Sequence, residues 1–140
     1  MKTLTRRQIL RSATLIAPAL AASSNLFAQN QFTLDGVMHP YRQEWLPDGV
    51  RSRFVNNVNG LRVHVLEAGF ETPNRPALLL LHGFPELAYS WRNVMKPLAD
   101  AGYHVFAPDV RGYGRTTGWD SNYDGDLTPF RSLNKVRDAL

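Results

Sequence analysis

The chain has no cysteine among its 140 residues, which excludes a disulfide framework and any thiolate metal site. It also lacks a long apolar run: the stretch from Ala13 to Ala22 is broken by Pro18 and falls well short of a bilayer span, which takes about 20 residues. Acidic residues are absent from residues 1–28, where Lys2, Arg6, Arg7 and Arg11 stand unopposed. Those four account for the whole formal charge of +4, because the remaining Lys and Arg balance the 12 Asp and Glu. The alkaline character is therefore local, and the composition argues against nucleic acid as a partner.

What stands in place of those features begins with an export leader. A basic start, a short Ala-rich apolar stretch and small residues after it form the tripartite layout of a signal peptide. Thr5-Arg6-Arg7-Gln8-Ile9-Leu10-Arg11 resembles the twin-arginine pattern. Cleavage after Ala21 or Ala28 would release a periplasmic or secreted product that meets the membrane only during export. The expected organisation is a signal peptide over 1–28, an irregular lead-in over 29–50 broken by Pro40, Pro47 and Asp48-Gly49, and a folded portion over 51–140.

The folded portion reads as α/β. Arg53 to Val58 and Leu61 to Glu67 flank Asn59-Gly60, the dipeptide suited to the two positive φ values of a type I′ hairpin turn. Leu61, Val63 and Val65 alternate with Arg62 and His64, which predicts one buried face. Ala77 to Leu81 is unbroken apolar sequence, expected as a strand covered on both sides. Trp91, Val94, Met95 and Leu98 then fall at the spacing of a helix packed on a sheet. Pro97 predicts a break near Lys96 with the helix restarting at Pro97, and Gly102 predicts its end. Tyr103 to Pro108 completes a strand-helix-strand crossover. A long loop follows, and Thr128-Pro129 predicts the start of a last helix bearing Phe130, Leu133 and Val136 on one side.

The chemistry concentrates where the apolar strand ends, at Leu81-His82-Gly83-Phe84-Pro85-Glu86. A strand, sharp turn and helix in succession leave backbone N–H groups unpaired and aimed at a developing negative charge. Gly83 permits close backbone approach and Pro85 fixes the chain just past Phe84, so the Phe84 N–H is a candidate oxyanion-hole donor. An ordinary strand-to-helix turn without a ligand is the competing reading of these residues.

Together, His82-Gly83-Phe84-Pro85-Glu86, Tyr89-Ser90-Trp91-Arg92 and Asp109-Val110-Arg111-Gly112-Tyr113-Gly114 resemble the N-terminal half of an α/β-hydrolase of the epoxide hydrolase branch. The resemblance covers roughly residues 51–140. It implies that these strands are the first four of a larger sheet, with the Leu78 to Leu81 strand central in it. It implies an oxyanion role for the Phe84 N–H, with His82, Gly83 and Pro85 supporting the turn and Asp109, Arg111, Gly112 and Gly114 shaping the neighbouring loop. It further implies a small-molecule substrate, an epoxide, ester or organohalide, and no cofactor. His82 is a structural residue in that pattern and not the catalytic base.

A nucleophile elbow is missing from the sequence: neither Gly-x-Asp-x-Gly nor Gly-x-Ser-x-Gly occurs. Residues 1–140 are therefore expected to be the inactive N-terminal part of a hydrolase. A serine esterase or a fluoroacetate-type dehalogenase would share everything visible and differ first at the nucleophile, and a truncated or binding protein remains the non-enzymatic alternative. Other motifs weigh less. Gly112-Tyr113-Gly114 lacks the third glycine of a dinucleotide loop. His39, His64, His82 and His104 show no ligand spacing. Asp120, Asp124 and Asp126 lack the acidic twelfth position of a calcium loop and read as solvated. Asp109 and Arg111 are expected to pair with each other and order the loop.

Overall fold

The computed structural model describes residues 38–140. The expected signal peptide and the first part of the lead-in, residues 29–37, lie outside the described residues. Four strands form one sheet in the order β1-β2-β4-β3. Strand β1 spans Val50–Val58, β2 Leu61–Ala68, β3 Ala77–Leu79 and β4 His104–Pro108. Strands β1, β2 and β4 pair antiparallel in sequence, whereas β3 runs parallel to β4, as a crossover requires.

The hairpin forms as its turn chemistry dictates. Asn59 and Gly60 both take positive φ, 47° and 77°, and Val58 pairs with Leu61 across them. Asn57 is also left-handed, and the register shifts between Asn56 and Val58, so a bulge lies just before the turn.

Burial of one hairpin face alone was the expectation, and here the structure differs. Leu61, Val63 and Val65 do form a cluster, with Val55, Val58 and Phe106 against them. The opposite face is buried too, because Leu66 and Ala68 of β2 join Val50, Val105 and Ala107 beneath a helix. His64 belongs to that second face and is fully buried rather than solvated.

The covering helix, α1, spans Arg92–Asp100 and follows a 3-10 turn over Ala88–Trp91. It runs through Pro97 without the expected break. Pro97 removes one helical hydrogen bond, but Met95 and Ala99 on either side are buried against the sheet and hold the helix in register. The tighter 3-10 turn also shifts the phase of the apolar stripe. Met95 and Ala99 are buried, Leu98 packs beside them, and Val94 faces solvent. At the end of α1 the Gly102 N–H reaches Ala99 O at 3.0 Å and the Tyr103 N–H reaches Leu98 O at 3.2 Å, the Schellman pairing that stops a helix.

Two further expectations are corrected. The apolar strand is shorter than 77–81 and is not covered on both sides: Leu79 is 43% and Leu81 50% exposed. Strand β3 is the edge of this sheet, and its helix-facing residue Leu78 is the better buried one. The last helix does not start at Thr128. Thr128–Phe130 is a separate 3-10 turn, Arg131 is extended, and α2 spans Ser132–Ala139. The Thr128 N–H is instead bound by Asp126 Oδ1 at 2.8 Å, and Leu133 and Val136 of α2 are exposed. Residues 40–49 are more ordered than an irregular lead-in suggests. They contain a 3-10 turn at Gln43–Trp45, bury Leu46 in the core, and are tied down by Tyr89 Oη donating to Trp45 O at 2.9 Å.

Candidate functional site

The site is the turn between β3 and the 3-10 turn that leads into α1. The Glu86 N–H donates to Gly83 O at 2.9 Å, closing a turn around a cis Phe84–Pro85 bond. The Phe84 side chain is 85% exposed. Among the described residues the Phe84 N–H has no hydrogen-bond partner. His82 pins this turn to the loop after β4: its Nε2 accepts the Val110 N–H at 3.0 Å, and its Nδ1 lies 3.0 Å from Gly83 O. Since Nε2 accepts, the proton sits on Nδ1 and donates to Gly83 O. His82 is thus occupied on both nitrogens by backbone, with the Tyr113 ring edge-on at 5.5 Å.

The loop is organised around Asp109. This carboxylate is fully buried and accepts three hydrogen bonds, from Ala88 N–H at 2.8 Å, Arg115 N–H at 3.0 Å and His64 Nδ1 at 2.7 Å. Burial pushes the carboxyl upward, but the His64 and backbone donors outweigh it and hold Asp109 below the usual carboxylate range. Gly114 is required here, since a Cβ at that position would strike the Asp109 carboxylate. The Thr116 hydroxyl donates to Asp109 O at 2.6 Å and accepts the His64 N–H at 3.0 Å, and the Thr117 N–H donates to Arg62 O at 3.2 Å, so the loop folds back on β2. Behind the imidazole, His64 Nε2 lies 2.7 Å from Ser52 Oγ.

The expected Asp109–Arg111 pair does not form. Arg111 reaches away to α2 and binds Asp138 through two contacts, Nη2 to Oδ1 at 2.7 Å and Nε to Oδ2 at 2.9 Å. Asp109 takes three donors from the protein interior and is fully buried, and the Arg111 guanidinium is paired with Asp138 instead. The turn, this loop and α2 together line a cavity of about 380 Å³, with Leu81, Phe84, Val110, Tyr113, Val136 and Ala139 in its wall.

Sequence reasoning placed Phe84, His82, Gly83, Pro85 and the Asp109 loop side by side, as the structure does. It missed His64 and Ser52, although a signal was available: His64 shares strand parity not only with Arg62 but also with the apolar Leu66 and Ala68. It also missed Glu67, which is buried on the opposite face beside Arg51 Nε at 2.9 Å, Arg53 Nε at 2.5 Å and His104 Nε2 at 2.7 Å. Burial raises that carboxyl, yet the two guanidinia and His104 bring it down to about 2. Among the described residues no group of three or more His, Asp and Glu side chains could hold a metal ion.

Comparison with known proteins agrees with this geometry. A family model of the alpha/beta hydrolase fold matches residues 76–140. The chain is 62% identical over 58 residues to epoxide hydrolase A of Mycobacterium tuberculosis, covering 41% of this chain and 17% of that protein. It is 58% identical over 66 residues to the AB hydrolase superfamily protein YfhM of Bacillus subtilis, covering 47% and 22%. Among solved structures, an epoxide hydrolase from an endophytic Streptomyces superposes with a TM-score of 0.54 at 40% identity, over 66% of this chain and 25% of that one. Potato epoxide hydrolase I does so with a TM-score of 0.54 at 44% identity, over 64% and 26%. The fold is that of the α/β-hydrolases, and the chain is similar to their epoxide hydrolase branch. It spans 17% to 24% of the length of the curated relatives it matches.

Proposed function

We propose that this chain builds the oxyanion side of an epoxide hydrolase-like active site whose nucleophile, acid and base are carried by further sequence. The observation that carries this reading is the unpartnered Phe84 N–H, held at the mouth of a cavity in a turn fastened to the Asp109 loop. In the reaction it supports, a carboxylate opens an epoxide to a covalent ester. A His-activated water then attacks that ester, and the Phe84 N–H stabilises the oxyanion of the tetrahedral intermediate. Esterases and dehalogenases of the same fold would use the same turn, and the nucleophile separates them.

Residues 1–140 alone carry no nucleophile elbow, so the proposal includes no turnover by this stretch in isolation. It also includes export: the basic, acid-free start and Arg6-Arg7 support a leader that delivers the product to the periplasm or beyond. The test is to mix the longer gene product with excess styrene oxide, quench within milliseconds and weigh the protein. An adduct of the epoxide's mass on an Asp, decaying as diol appears, is the expected result. Absence of both adduct and diol overturns the reading.

A further inference from the structure

Consecutive residues of the loop after β4 grip both ends of the oxyanion turn. The Val110 N–H binds His82, which holds Gly83 O, at one end, and the Asp109 carboxylate binds the Ala88 N–H at the other. Phe84 lies between the two grips. Where its N–H points is therefore tied to the orientation of one carboxylate, and that orientation is fixed through the second oxygen, Oδ2, which receives His64 Nδ1 and the Arg115 N–H.

We propose that His64 is a positioning residue for the Phe84 N–H, acting through Asp109 and backed by Ser52; this rests on the oxyanion reading of the turn. His64 and Asp109 are both completely buried. The His64 ring is enclosed by Tyr41 at 5.2 Å and Phe54 at 5.5 Å, both edge-on. A polar pair in such a place contributes little that apolar side chains of the same volume would not. What it supplies is direction, because an oxyanion donor is effective only within a few tenths of an ångström of its target.

The order Ser52, His64, Asp109 matches that of a hydrolytic relay, with Oγ on Nε2 and the carboxylate on Nδ1. Ser52 Oγ, however, also receives the Tyr41 N–H at 2.8 Å. Aromatic rings cover the imidazole that would pass the proton. The chain of bonds thus orients a turn and does not arm a nucleophile.

The test uses the longer gene product, with His64→Ala, His64→Asn, Asp109→Asn and Ser52→Ala. With styrene oxide in single-turnover mixing, formation of the ester should stay within about 2-fold of wild type, while its hydrolysis slows at least ~10-fold in His64→Ala and Asp109→Asn. Ester should therefore accumulate. His64→Asn, whose amide can replace the Nδ1 donor, should recover most of the rate, and Ser52→Ala should lose about 3-fold in the same step. Equal losses in both steps, or no loss in hydrolysis, would overturn the proposal.

Amide exchange over residues 83–90 provides a second readout that needs no turnover. Faster exchange at Ala88 in His64→Ala, restored in His64→Asn, is expected. Exchange that is identical in wild type and His64→Ala overturns the positioning role. A wild type that forms no ester overturns the epoxide reading instead and leaves the exchange result to decide the link to Asp109.

Discussion

Arg111 is bonded to Asp138, with both the Nη2–Oδ1 contact at 2.7 Å and the Nε–Oδ2 contact at 2.9 Å in place. Both side chains are largely buried, so this pair fastens α2 to the loop that carries Asp109. Asp138 also receives Asn59 Nδ2 from the hairpin turn at 3.1 Å, which joins the three segments at one carboxylate.

Removing either partner should loosen α2 locally. Hydrogen bonds to charged groups contribute about 2 kcal/mol, so Arg111→Ala and Asp138→Ala should each speed amide exchange in Ser132–Ala139 by roughly 30-fold. The double variant should add little to either single one. Unchanged exchange in both single variants would show that α2 is held by other contacts.

Acid should act through Glu67. Its carboxyl is held at about 2 in the folded chain against an ordinary 4.5. A depressed folded value means that the stabilisation is complete above about pH 4.5 and is lost as the pH falls through about 2. Arg51 and Arg53 are 44% and 38% exposed, so solvent screening reduces the contribution to ~2 kcal/mol. Tryptophan fluorescence followed from pH 5 to pH 2 should show this acid loss in the wild type and a flatter profile in Glu67→Gln. Superimposable profiles would contradict the assignment.

The edge of the sheet should make residues 38–140 associate. Leu79, Leu81 and Phe84 are exposed along and beyond β3, and an open apolar strand edge templates pairing with other chains. Purified chain should bind a hydrophobic dye and sediment as mixed oligomers, and Leu81→Lys should lower both signals. A monomer with a sharp, cooperative melt would be the contrary finding.

Much of this architecture is legible from local pattern alone. Asn59-Gly60 dictates its turn, Gly102 ends α1, and the run before His82-Gly83-Phe84-Pro85 is apolar because Leu78 and Leu80 face the helix-covered core. The contacts that organise the candidate site are less legible, because each joins residues far apart in sequence. His64 meets Asp109 across 45 positions, and strand alternation beside Arg62 suggested a solvated histidine. Asp109 and Arg111 stand two residues apart with opposite charges, yet Asp109 is bound by interior donors and Arg111 pairs with Asp138 on α2. Pro97 misleads for a similar reason, since burial of Met95 and Ala99 overrides a local preference to break.

Export is tested at the arginines. Arg6→Lys with Arg7→Lys keeps the charge of the leader and removes the twin-arginine pattern. If the proposed leader is a twin-arginine signal, precursor should then accumulate in the cytoplasm, whereas an unchanged distribution would contradict twin-arginine export.

The most direct test of the oxyanion-side assignment is to read the source DNA beyond the codon for Leu140. The expected result is an open frame that soon encodes Gly-x-Asp-x-Gly, supplying the carboxylate that the Phe84 turn would serve. A stop codon there, or a continuing frame with neither this elbow nor Gly-x-Ser-x-Gly, would contradict it, whereas Gly-x-Ser-x-Gly would keep the oxyanion side and overturn the epoxide branch.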